Sequence, residues 1–234
     1  MAKPRTIPVL DIPRLAKDDY PSTLAALLRH RSAAFPGVTY AKYRANLRHA
    51  VERPAARLRE QAIQTFQRCR NDVEARNNLE CFLLTEGIYA ERKSRCWPIP
   101  AISLEDQTGL VLRMPPAVVR YDVEQKFSAV VFPQPRKSFV PTEEELALLG
   151  VLIRRIWVPN ARDMLFAPYP DLKFVVEFVN LASQRSGGPR IPRLLTLSED
   201  LPLLDDDLVN RRLSNLSRAL LDEPQDDEED QPSP

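Results

Sequence analysis

Glycine is scarce in this chain, with only 6 among 234 residues. Loops that cradle phosphate need glycine for close backbone approach, so this scarcity argues against them. Neither G-x-x-x-x-G-K-S/T nor G-x-G-x-x-G occurs. Histidine is scarcer still. His30 and His49 both fall in the N-terminal part, and no G-x-S-x-G or H-E-x-x-H accompanies them, which disfavours a Ser-His-Asp triad. Cys69, Cys81 and Cys96 are widely spaced and form no C-x-x-C. They read as reduced thiols rather than a zinc cage, and no cofactor or metal is expected. No apolar run approaches the ~20 residues that cross a bilayer. The N-terminus carries charge without an apolar signal segment. These absences disfavour most common enzyme classes and predict a cytoplasmic protein with no membrane partner.

What is abundant is proline, with 22 residues, and charge that is unevenly divided. Residues 1–96 hold about 18 Lys/Arg against about 10 Asp/Glu, whereas the remainder is acidic by about 7. The acidic excess is the tail from Asp222 onward, which has acids, no base and no large apolar residue. Four segments follow. Residues 1–21, with Pro4, Pro8, Pro13 and Pro21, predict an extended arm. Residues 22–96 predict a basic helical region, 97–221 an α/β sheet body, and 222–234 a disordered acidic tail.

Within the basic region, Ser22 can cap a helix to about Ala34, and Thr39 a second to about Glu52. A third helix spans about 55–84, either unbroken or with a break, and Leu58, Ala62, Phe66, Cys69 and Val73 form its apolar stripe. That stripe continues through Glu80. A buried carboxylate is costly unless paired, so the helix is expected to end or turn near Asn77-Asn78 and leave Glu80 exposed. Beyond Trp97-Pro98, short β-branched and aromatic runs between turns predict a meander of about three strands ending at Phe127–Phe132. Thr142 and Glu145 form a capping box before an apolar helix containing Leu146, Leu149, Leu152, Ile153, Ile156 and Trp157. A strand over 172–179, a strand at Arg193–Leu197 and a helix over 205–221 complete the reading. The fold class expected is α+β: N-terminal helices, then a mixed β-sheet with a buried helix and a C-terminal helix.

The order helix, three strands, helix, strand across residues 55–180 resembles the core of the PD-(D/E)XK nuclease-like fold. The resemblance implies an acid at the start of the second core strand and an acid-x-Lys on the third. Those carboxylates would hold a divalent metal beside a lysine that steadies the transition state. The sequence departs at both places. Pro115-Pro116-Ala117-Val118 has no acid, and Gln134 stands two residues before Arg136 and three before Lys137. On this alignment the chain is a catalytically inactive relative. A second register offers Glu124-Gln125-Lys126 as acid-x-Lys, with Glu105 upstream and Glu80 on the preceding helix. These four are the candidate catalytic residues, although 122–126 reads as a hairpin turn. Asp171-Leu172-Lys173 repeats the same triplet elsewhere.

The helix pair around Phe35-Pro36-Gly37 loosely resembles a helix-turn-helix. Lys42, Arg44, Arg48 and Arg53 are the candidate nucleic-acid contacts, with Tyr40, Tyr43, Asn46 and His49 among them. The leading expectation is a non-catalytic nucleic-acid-binding protein with a nuclease-like core. An assembly module whose basic half meets an acidic protein partner is the alternative, and a metal-dependent nuclease the third.

If the acidic tail shields the basic half, deleting residues 222–234 tightens nucleic-acid binding and steepens its salt dependence. Titrations of full-length and truncated protein at two salt concentrations check this, and unchanged affinity removes the shielding idea.

Overall fold

The computed structural model describes residues 6–32, 39–52, 55–105, 108–122, 124, 127–138, 141–165, 174–183, 185, 188–197 and 204–222, without side chains for 154, 156–165 and 174. The first described element corrects the expectation of an extended arm. Thr6–Pro8 is strand β1, Val9–Asp11 a 3-10 turn and Ile12–Leu15 helix α1. Ile7, Val9, Leu10, Ile12 and Leu15 are all buried. The prolines punctuate this segment rather than extend it. Pro8 ends the strand, and Pro13 lies in the first turn of α1, where its missing N–H costs nothing. Burying each large apolar side chain contributes about 1.5–3 kcal/mol, enough to offset the ordering of the backbone that carries it.

Helix α2, Tyr20–Ser32, starts earlier than expected. Asp19 rather than Ser22 is the cap, its carboxylate accepting from the Ser22 N–H at 2.8 Å. The expected helix from Thr39 is split at Asn46 into α3, Ala41–Ala45, and α4, Leu47–Glu52. The Asn46 amide turns back to the Lys42 carbonyl and across to Thr65 Oγ1, at 2.9 Å each. Next come α5, Ala56–Phe66, and α6, Asp72–Ile88. The break lies before Asn71, which caps α6 by accepting from the Glu74 N–H at 2.9 Å. Asn77-Asn78 does not end the helix. Asn78 is fully buried, accepting from the Tyr43 N–H and donating to the Thr39 and Glu74 carbonyls, each at 2.8 Å.

The strands then separate into two sheets. β2 is Ser94–Ile99, β3 Ile102–Glu105, β4 Val111–Met114, β5 Ala117–Asp122 and β6 Phe127–Gln134. Helix α7, Glu143–Leu165, precedes β7, Phe174–Asn180, then β8, Arg193–Leu197, and α8, Asp206–Leu221. The larger sheet has the order β2-β5-β6-β7-β8. Its pairs are antiparallel except β6 and β7, which run parallel and are joined through α7. The hairpin β3-β4 leaves this sheet and pairs through β4 with β1. The expected meander is therefore interrupted. The expected capping box is present: Glu145 N–H donates to Thr142 Oγ1 at 3.2 Å, and Thr142 N–H to the Glu145 carboxylate at 3.0 Å. The fold is α+β, with helices at both ends.

Both faces of the larger sheet are covered. Val119, Val130, Phe132, Val176 and Phe178 pack with α1, the first half of α7 and α8. Val118, Val131 and Val179 pack with Tyr43, Leu47, Phe66, Phe82 and Tyr89 of the N-terminal helices. Leu58 and Val73, expected on the buried stripe, are about half exposed, at 46% and 53%. The chain turns between α5 and α6, so no single face runs through both.

Ile12→Ala is expected to destabilise the protein by roughly 2–5 kcal/mol in urea denaturation, as for a large-to-small change in a packed core. A loose arm would give a change near zero.

Candidate functional site

The carboxylates of the second register do not come together. Glu105 ends β3 in the smaller sheet and is exposed. Glu124 lies in the β5–β6 turn, largely exposed, 3.2 Å from Lys93 Nζ. Glu80 sits on α6, engaged by Arg190. Lys126 lies outside the described residues. Among the described residues no group of three His, Cys, Asp or Glu side chains forms a metal-holding cluster. The physical reason is topological: the three acids belong to a helix, a separate sheet and a turn.

The basic residues divide as well. Arg48 is exposed and pairs with Glu52 at 2.8 Å, one helical turn on. Lys42 is half-buried on α3. Arg53 and the acidic tail beyond Asp222 lie outside the described residues. Arg44 departs most from a solvent-facing contact. Its Nε is out of contact with solvent and has no hydrogen-bond partner.

Two polar clusters stand out. The first lies between the larger sheet and α6. Arg120 on β5 is fully buried and donates through Nε and Nη2 to the Glu177 carboxylate on β7, with Nε to Oε2 at 2.7 Å. Its Nη1 donates to Asp122 at 2.9 Å and Ser94 at 3.3 Å. Tyr89 donates to Glu177 Oε2 at 2.8 Å, and Arg92 to Oε1 at 3.2 Å. The guanidinium also stacks over Tyr89 and Phe127, 5.5 and 5.0 Å from their ring centres. Burial pushes the Tyr89 hydroxyl well above its ordinary range, reinforced by the Glu177 charge, so it stays a donor. Every group here has a partner, and the arrangement is a structural lock. The signal was present in the sequence: an arginine and a glutamate inside two otherwise apolar strands.

The second cluster lies at the carboxyl ends of the parallel pair β6 and β7. Gln134 and Asn180 end those strands side by side. Gln134 Oε1 accepts from the Arg136 N–H at 2.6 Å, and its amide donates to Asn180 Oδ1 at 3.3 Å. Arg190, buried before β8, ties the cluster to α6 and to Tyr40. It donates to Glu80 at 3.0 Å, Tyr40 Oη at 2.9 Å, Asn77 Oδ1 at 3.2 Å, the Leu181 carbonyl at 2.8 Å and the Pro135 carbonyl. Lys137 Nζ lies 3.9 Å from Glu80. Arg136 forms a two-pronged pair with Asp11 of the N-terminal turn, its Nη2 3.1 Å from Oδ2.

Arg44 on α3 lies within electrostatic range of Arg136 and Asp11. Burial lowers its guanidinium pKa, the positive charge of Arg136 lowers it further, and Tyr43, Asp11 and Tyr40 oppose the shift. Cys81, fully buried on α6, feels the charges of Arg190, Glu80, Lys137 and Arg44 together. Burial pushes its thiol up to about 12, so it remains a neutral thiol. The site is thus rich in cations, with both its carboxylates engaged by arginine. Sequence reasoning found Gln134, Arg136 and Lys137 by their offsets, but nothing local marked Arg190 or Asp11.

Arg120→Met leaves Glu177 and Asp122 buried without their main cation and is expected to cost about 3–5 kcal/mol. The double variant Arg120→Met with Glu177→Leu should recover most of that loss. Denaturant melts of both single variants and the double check the pair, and a double-variant loss equal to the sum of the two single losses would mean that the two side chains are not coupled. No protein-family model matches the chain, and comparison with curated proteins finds no match either.

Proposed function

We infer that this protein binds nucleic acid through a nuclease-like core that does not cleave it. The observation that carries the reading is the chemistry at the carboxyl ends of β6 and β7. Gln134-Pro135-Arg136-Lys137 stands where the resembled fold keeps its acid-x-Lys. Arg44, Arg136, Lys137 and Arg190 gather there against Asp11 and Glu80. A divalent cation would meet repulsion at this place, whereas a phosphate group would meet complementary charge. The larger sheet's order, with three antiparallel strands, a helical crossover and a fourth strand parallel to the third, supports the same reading. Lys42 shares α3 with Arg44 and adds a further positive charge to that helix, whereas Arg48 on α4 is paired with Glu52.

Fluorescence anisotropy with labelled single- and double-stranded oligonucleotides tests this reading. Affinity is expected to fall steeply with salt. Neutralising Lys42 or Lys137 should reduce the slope of log K against log salt by about 1 each. The oligonucleotides should stay intact in magnesium or manganese. Absence of binding at low salt would overturn the reading and favour an acidic protein partner, and metal-dependent cleavage would overturn its non-catalytic part.

A further inference from the structure

Strand β2 and the residue before it carry a row of exposed side chains that neither the core nor the strand-end cluster uses. From Lys93 to Trp97 exposure alternates strictly: Lys93, Arg95 and Trp97 are exposed, whereas Ser94 and Cys96 are buried. That is the period of a pleated strand, so the three share one side at a repeat of about 6.6 Å. The backbone beneath them is fixed. It pairs with β5 from Ser94 to Ile99, and Ser94 Oγ accepts from the buried Arg120 at 3.3 Å. Tyr121 on β5 stands opposite Arg95, half-buried, and adds a second ring beside the row. Trp97 is 47% exposed. An indole left half in water on an ordered strand contributes little to the fold, whereas its flat face is suited to stacking. The ion pair of Lys93 with Glu124 is exposed at both ends, so it yields readily to another anion.

We propose that Lys93, Arg95 and Trp97 form a track for single-stranded nucleic acid, separate from the cluster at the ends of β6 and β7. The proposal rests on the nucleic-acid reading and adds the form of nucleic acid that is bound. Alternate strand residues are spaced close to one nucleotide of an extended single strand, so Lys93 and Arg95 can meet successive phosphates while Trp97 stacks on a base. A duplex keeps its bases paired inside and offers no open base face along its length. A protein strand is disfavoured at this edge of the sheet. Pro98 follows Trp97, and a proline in an edge strand turns its missing N–H outward, which removes a donor that an added strand would need. Glu91, exposed two residues before Lys93, repels phosphate and marks the end of the track.

The test uses the full chain with oligothymidylate, single-stranded and annealed to oligoadenylate, at low salt. The single strand is expected to bind more tightly than the duplex and to quench tryptophan emission. The chain's other tryptophan is Trp157, so loss of the quenching in Trp97→Ala assigns it to Trp97. In that variant single-strand affinity should fall by roughly fivefold or more, with duplex affinity unchanged. Trp97→Phe, which keeps a ring, should retain most of the affinity. Lys93→Gln and Arg95→Gln should each lower the single-strand salt slope by about 0.7, and Glu91→Gln should strengthen binding. All these positions are exposed, so the unbound variants should melt with the parent protein. Salt-dependent binding without quenching, unchanged in Trp97→Ala, overturns the track and leaves the nucleic-acid reading standing. Equal losses for single strand and duplex in Trp97→Ala overturn the single-strand assignment. No binding of either form overturns both, and capture of polyglutamate that fails in Trp97→Ala would then give this surface to an acidic protein partner.

Discussion

The pairing of Arg120 with Glu177 is the constraint around which the larger sheet is built. Arg120 on β5 stands beside Ala129 on β6, and Glu177 on β7 stands beside Val131 of the same strand. The guanidinium therefore crosses the central strand over Ala129, whose small, fully buried side chain leaves the passage open. A larger residue there would push the arginine off its carboxylate. Because both partners lie inside a sheet covered on both faces, neither can turn to water. Tyr89 at the end of α6 and Arg92 just beyond it close the network from the helical side. The register of three strands and the seating of one helix are thus held by the same few polar groups, where a slip by one residue would bury unmatched charge.

Local signals made much of the fold legible. The Thr142–Glu145 cap, the strand at Arg193–Leu197 and the amphipathic helix near 205–221 are specified by residues within a few positions of one another. The misreadings share a non-local cause. Asn77-Asn78 looked like a helix end because a continued helix carries Glu80 onto the apolar stripe, yet Asn78 is bonded to Thr39 and Tyr43, dozens of residues away. β3 and β4 looked like members of one meander, but pairing with β1 draws them into another sheet. Proline density suggested an arm, although apolar residues lie between the prolines and enter the core.

The cluster at the strand ends was legible in part. Gln134, Arg136 and Lys137 drew notice by departing from a known spacing, and Glu80 by falling on an apolar stripe. Arg190 and Asp11 carried no sign, since each acts only through elements that the fold brings together across long stretches of chain. Arg44 was read as facing outward from a basic helix. Spacing on a five-residue helix does not distinguish the flank beside buried Tyr43 from the solvated side.

Arg120, Arg190 and Arg212 are the buried arginines among the described residues, and each is matched within the fold. Arg120 is met by two carboxylates, a hydroxyl and two rings. Arg190 is met by a carboxylate and four neutral oxygens, including backbone carbonyls beyond the ends of β6 and β7. Each compensates groups that would otherwise be buried without partners, which is reason enough for its presence. Arg212 is matched likewise, by the carboxylates of Asp18 and Glu144, which ties α8 to the chain before α2 and to the first turn of α7. Arg44 differs: it is only partly buried, and its Nε is shut off from solvent without a hydrogen-bond partner.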